Sequence, residues 1–209
     1  MAVPQIPIED LLGLAIRHVN AGQRDRARLL CAEAQTLHPP HPAVLQLLAV
    51  LAMQEGDAAL AVRHAAASLA LRPDHPPTLV LAGTAQQQSG HWATALLTLN
   101  RATELLPEHA DAWFTLALAR QDGGDFAGAA QALRRVLALA PQRADAALNL
   151  GIVLQDQGLA EPAFQAYSRA YRLHPDCFGR IAHALAAAPL GKLWLDLDAL
   201  RGALRASPA

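Results

Sequence analysis

Apolar residues recur along this chain with the period of a helix, not of a strand. In the block that starts at Ile8, Leu11, Leu14 and Ala15 fall on one face. The same offsets give Leu45, Leu48 and Ala49, then Leu79, Ala82 and Gly83, then Trp113, Leu116 and Ala117, then Ala147, Leu150 and Gly151. Spacings of three and four place such residues above one another on a helix. Each block is followed by a second with its own apolar set, for example Leu133, Val136 and Leu137. The pattern predicts helices in pairs. Runs of β-branched residues are few, so strands have little support.

The punctuation between the blocks is periodic. Gly22, Gly56, Gly90, Gly124 and Gly158 are spaced by 34 residues, and so are Pro39, Pro73, Pro107, Pro141 and Pro175, and Ala27, Ala61, Ala95, Ala129 and Ala163. Each residue type has a physical reason. The glycine falls between two helical stretches, where a sharp turn favours positive φ. The proline stops the second helix, since it lacks an N–H and clashes with the preceding turn. The alanine lets two helices approach closely. Counted from 1 at Ile8, Pro42, Pro76, Ala110 and Ala144, position 8 is always Ala or Gly, and positions 4, 7, 8 and 11 form the buried stripe of each first helix.

The period, the small residue at position 8, the alanine at 20 and the proline at 32 resemble the tetratricopeptide repeat. Trp113, Leu116, Ala129, Leu133 and Pro141 carry the match in the fourth copy, and Leu150, Gly151, Ala163, Tyr167, Ala170 and Pro175 in the fifth. The first copy departs most, with His18 and Cys31 where the family prefers aromatics. The resemblance implies an all-α, right-handed solenoid of five helix–turn–helix repeats, at 8–41, 42–75, 76–109, 110–143 and 144–177. Residues 1–7, with Pro4 and Pro7, are expected to run extended. Residues 178–209 are expected to supply a capping helix and a short helical tail: Phe178 to Ala188 read as one more first helix, Leu193 to Leu195 as an apolar run, and Asp196 as the N-cap of a last helix from Leu197 to about Ala206.

The resemblance also implies that the first helices line a groove that holds a partner. Positions 5, 9, 12 and 13 would face it. The candidate residues are Leu12, Ile16, Val50, Met53, Gln54, Val80, Thr84, Gln87, Gln88, Phe114, Leu118, Gln121, Asp122, Leu148, Ile152, Gln155 and Asp156. The floor would be aliphatic with Phe114 near its middle, and one rim would be built of amides that turn acidic toward the C-terminus. Part of this stripe should pack between neighbouring repeats. Some members of the family clamp a carboxylate with groove lysines and arginines, but no basic residue stands at positions 2, 5, 6, 9, 12 or 13 here. The partner is therefore expected to be a protein that presents an apolar or amphipathic segment.

Composition narrows the picture further. The chain has 209 residues, 53% of them hydrophobic, enough to bury a core. Basic and acidic residues number 17 and 18, without a basic cluster, so nucleic acid is not an expected partner. Cys31 and Cys177 form no metal or redox spacing and read as reduced thiols. No secretory signal is visible at the N-terminus, and the apolar run Ala43–Met53 is too short for a membrane span. His41, His75 and His109 at position 34 read as a loop ladder, not a metal site. Arg101, Arg135 and Arg169 at position 26 read as a solvated outer stripe. No nucleophile elbow, phosphate loop or dinucleotide fingerprint occurs. The expectation is a non-enzymatic bacterial cytoplasmic scaffold or adaptor without metal or cofactor. Two alternatives stand beside it: self-association into a homo-oligomer through the groove or the tail, and service as accessory subunit of a separately encoded enzyme.

Overall fold

The computed structural model describes residues 6–187 and 196–206, and the described residues are helical throughout, without a strand. The helices are α1 (Ile8–Asn20), α2 (Arg24–Leu37), α3 (Pro42–Gln54), α4 (Ala58–Leu71), α5 (Pro76–Gln88), α6 (Trp92–Leu105), α7 (Ala110–Asp122), α8 (Phe126–Leu139), α9 (Ala144–Asp156), α10 (Ala160–Leu173), α11 (Phe178–Ala187) and α12 (Leu197–Ala206), with a 3-10 turn Pro175–Cys177 before α11. The first ten pair as α1/α2, α3/α4, α5/α6, α7/α8 and α9/α10. The architecture is that of an α-solenoid: five tandem hairpins followed by C-terminal helices. Two compact units divide the chain, Met1–Leu106 with the first three hairpins and Pro107–Ala209 with the rest.

Local chemistry sets the hairpin. Each periodic glycine has φ between 71° and 79°. The residue after it returns its N–H to a carbonyl five residues back, as in Gln23 to His18 at 2.8 Å and Asp125 to Arg120 at 2.9 Å. This is the six-to-one bond of a helix end closed by a left-handed residue, a geometry that glycine adopts without a Cβ penalty. Each second helix ends two residues before its proline, and the intervening residue leaves the helical region, with φ between −129° and −149° and ψ between 71° and 156°. The clash of proline Cδ with the preceding residue explains both facts.

Packing within each hairpin follows size complementarity between positions 8 and 24. All ten residues are buried. Where position 8 is glycine, position 24 is large. A Cβ added to Gly83 would collide with the Leu99 side chain, and one added to Gly151 with the Tyr167 ring. Ala117 stands opposite Leu133, and Ala49 opposite Ala65.

A second buried stripe, which the sequence reading did not assign, runs along positions 3 and 10. Val44 and Leu51 in α3, Thr78 and Ala85 in α5, and Ala146 and Val153 in α9 are all at most 1% exposed. Within each unit these positions face the preceding hairpin: α5 packs on α4 and α9 on α8. In α1 the same positions hold exposed Asp10 and Arg17.

The C-terminal helices close unit 2 by an arrangement the repeat pattern does not dictate. α11 forms where one more first helix was expected, and it fully buries only Ile181. It is α12 that packs on α10, burying Leu200 and Leu204 at 1% and 0% exposure. The guanidinium of Arg201 lies 4.4 Å from the centre of the Phe178 ring, and Tyr171 stands 5.9 Å from the same ring. Asp196 caps α12 as expected, accepting from the N–H groups of residues 198 and 199 at 2.8 and 3.1 Å. The apolar run at Leu193–Leu195 lies outside the described residues, as does most of the N-terminal segment expected to be extended.

The position-26 arginines are more than a solvated stripe. Arg101 donates to Asp74 at 3.1 Å, Arg135 to Glu108 at 2.7 Å and to the Pro107 carbonyl at 3.2 Å, and Arg169 to the Pro141 carbonyl at 2.8 Å. Each clips the loop that ends the preceding hairpin. Partial exposure keeps the gain per pair small.

Candidate partner-binding face

In unit 1 the face is supplied by α1, α3 and α5. Ile16 is 48% exposed; Leu12, Val50, Met53 and Val80 are half-buried. Gln54 and Gln88 are exposed, while Gln87 and Thr84 are partly covered. The Thr84 hydroxyl donates back to the Val80 carbonyl at 2.9 Å, so it presents little free donor capacity.

In unit 2 the face is built on α7 and α9. Phe114, Leu118 and Ile152 are half-buried, Gln121 and Gln155 likewise, and Asp122 and Asp156 are exposed. Leu148 differs from the others. At 1% exposure it belongs to the packed core of this unit and offers no surface to a partner.

Two features of this face were not legible in the helical pattern. The first is Arg143. It sits at position 34, in the turn before α9, outside the helix positions that define a groove. Its guanidinium nevertheless lies over the Phe114 ring, 4.3 Å from the centre, and bonds Asp111 at 2.5 Å and Asp145 at 3.1 Å. Burial works against its charge, but the bonds to both aspartates hold its pKa above the ordinary arginine value. A guanidinium stacked on an aromatic face and flanked by carboxylates is a stable unit. Phe114 is therefore a covered anchor, not an open one.

The second feature is Gln155. Its carbonyl oxygen accepts from the Tyr167 hydroxyl at 3.0 Å, and its amide donates to the Ala184 carbonyl at 2.7 Å. Ala184 lies in the last turn of α11, where carbonyls lack helical partners. Gln155 thus caps α11 and ties it to the core through a fully buried tyrosine. The Tyr167 hydroxyl is pushed above its usual pKa, first by burial and then by the charge of Asp156. Burial also raises the Asp156 carboxyl above the ordinary range. Between α9 and α11 opens a cavity of about 440 Å³, lined by Ile152, Gln155, Asp156, Arg180, His183 and Ala184 among others.

The position-34 histidines take a structural role. His41, His75 and His109 precede α3, α5 and α7. Nδ1 of His41 accepts from the Ala43 N–H at 3.3 Å, and Nδ1 of His109 from the Ala112 N–H at 3.2 Å. His75 bonds the Thr78 hydroxyl at 2.8 Å. His41 and His109 thereby satisfy free donors at helix starts. Among the described residues no group of three or more His, Cys, Asp or Glu is placed to hold a metal, and no helix is long and apolar enough to cross a membrane.

Five hairpins of one period, closed by the same glycine turn, coincide with a sequence match to the tetratricopeptide repeat model at residues 80–120 and 114–176. Residues 80–176 carry tetratricopeptide repeats. Solved tetratricopeptide-like folds agree. MamA from Desulfovibrio magneticus RS-1, from residue 41 to its end, is similar with a TM-score of 0.75 at 19% identity, over 81% of this chain and 96% of that one. A double mutant of MamA from RS-1 gives 0.74 at 19% identity over 81% and 95%. A further MamA crystal structure gives 0.72 at 18% identity over 90% and 98%. Identities this low establish shared fold alone. No curated protein matches the chain in sequence.

Proposed function

We propose that this protein is a protein-interaction scaffold that takes up an apolar or amphipathic segment of a partner on the first-helix faces of its hairpins. The observation that carries the reading is the state of Leu118 and Ile152. Positions 3, 4, 7, 8 and 10 of α9 are buried in the hairpin or against its neighbour, so packing is already satisfied there. Leu118 and Ile152 nonetheless remain half-exposed on adjacent first helices. Burying one such side chain contributes about 1.5–3 kcal/mol to binding. In unit 1, Ile16, Val50, Met53 and Val80 offer the same kind of surface. A cytoplasmic location belongs to this reading and is supported by two unpaired thiols, Cys31 and Cys177.

The test is affinity for the natural partner in a Leu118→Gln/Ile152→Gln variant. Both side chains are partly exposed, so the fold should survive, and circular dichroism checks it. Loss of two apolar contacts should weaken binding at least tenfold, which is about 1.4 kcal/mol. Unchanged affinity in a folded variant removes unit 2's first-helix face as the recognition surface.

A further inference from the structure

The first-helix face of unit 2 carries a charge pattern that its apolar floor does not require. α7 and α9 each bear an aspartate near the start, Asp111 and Asp145, and another at the last residue, Asp122 and Asp156. Leu118 and Ile152 lie between these two rows. Arg143 is already shared by Asp111 and Asp145, so that cluster keeps a net negative charge. Asp156 is partly desolvated, and no ion pair reaches it among the described residues. Arg180 lines the α11 side of the cavity. The corresponding positions of α3 and α5 hold Ala43, Pro77, Gln54 and Gln88, so unit 1 lacks the pattern.

Geometry selects the shape of the occupant. Along α7, Asp111 and Asp122 are eleven residues apart, and a rise of about 1.5 Å per residue separates the two rows by roughly 16 Å. A helix with its side chains is about 10–12 Å across. Lying across α7 and α9, it seats an apolar stripe on Leu118 and Ile152 while basic side chains on both flanks reach the two rows. A single extended strand is too narrow to reach both. The cavity of about 440 Å³ at the end of the floor accepts one apolar side chain.

We propose that this face of unit 2 docks a cationic amphipathic helix of a partner protein, with lysines or arginines on both flanks of its apolar stripe. The proposal rests on the reading of the first-helix face as the partner site and adds the partner's chemistry. Two synthetic helical peptides of about five turns test it. Both have leucines at i, i+3, i+4 and i+7; one has lysine flanks and the other glutamate flanks. Fluorescence anisotropy at low ionic strength should give the lysine peptide at least tenfold tighter binding. Added salt should shrink the advantage, since exposed charges are screened beyond about 3 Å at 1 M. Asp122→Asn/Asp156→Asn, at two exposed positions, should shrink it as well. If both peptides bind equally and both are lost in Leu118→Gln/Ile152→Gln, the face stands and the charge proposal falls. The charge proposal also falls if the lysine peptide binds better but the double Asn variant keeps the whole advantage. If neither peptide binds, the reading of the face falls with it.

Discussion

Gly151→Ala is a small change with opposite expectations from local and tertiary physics. In an isolated helix it should stabilise by about 1 kcal/mol, because alanine has the higher helix propensity. Here the new Cβ meets the Tyr167 ring, with Cγ at 3.0 Å and two further ring carbons closer still. The atoms struck lie near the root of a fully buried side chain whose hydroxyl is held by Gln155. The ring has little freedom to retreat, and overpacking of this kind costs about 1–3 kcal/mol. The net expectation is destabilisation, with α11 loosened because Gln155 loses its anchor. Repeat four supplies a compensating pair, Ala117 with Leu133, both buried. Gly151→Ala/Tyr167→Leu copies it. The double variant should therefore be less destabilised than the sum of the singles, by a coupling of about 0.5–3 kcal/mol. Urea unfolding of the four proteins measures this cycle. A stabilising Gly151→Ala, or strict additivity, would refute the pairing of positions 8 and 24.

Other expectations follow from single groups. Gly56→Ala and Gly124→Ala have nothing within 4 Å of the added Cβ but retain φ of 79° and 78°; each should lose about 1–2 kcal/mol from backbone strain alone, and equal losses in denaturant titrations would show that the turn, not packing, requires glycine. Leu200→Ala and Leu204→Ala should each cost about 2–5 kcal/mol locally and speed hydrogen exchange in α10. His64 and His75 have pKa values lowered, in both cases first by burial and then by neighbouring arginines. Their folded pKa lies below the unfolded value of about 6.5, so they contribute stability above that pH that is lost as pH falls below it. Thermal unfolding at pH 7.5 and 5.5 should show the drop, and His64→Gln/His75→Gln should reduce it.

The period was legible because punctuation is chemistry: only glycine closes the turn without strain, and only proline halts the second helix so sharply. The size rule at position 8 followed from the same logic. What escaped were features that depend on neighbours outside the helix pattern. Positions 3 and 10 hold a mixture of Val, Leu, Thr and Ala in the second to fifth copies, with Asp10 and Arg17 in the first, so no single residue type marks the stripe until stacking is known. Arg143 stands in a turn, so a count of groove positions passed over it, and the same is true of the loops that Arg101, Arg135 and Arg169 clip. Leu148 has the same helical register as Phe114, yet it is sealed within unit 2, because α9 is covered on more sides. The docking of α12 on α10 lies outside the repeat, and no repeat pattern carries it.

The central claim is that partners are held on the first-helix face, and site-specific cross-linking tests it most directly. A photoreactive phenylalanine analogue placed at Leu118 reports that face. The same group at Gln131, an exposed residue of α8, reports the outer surface. Irradiation of each protein with its co-purifying partner should give a covalent adduct from position 118 and none from position 131. An adduct from position 131 alone, with both proteins folded, would contradict the account.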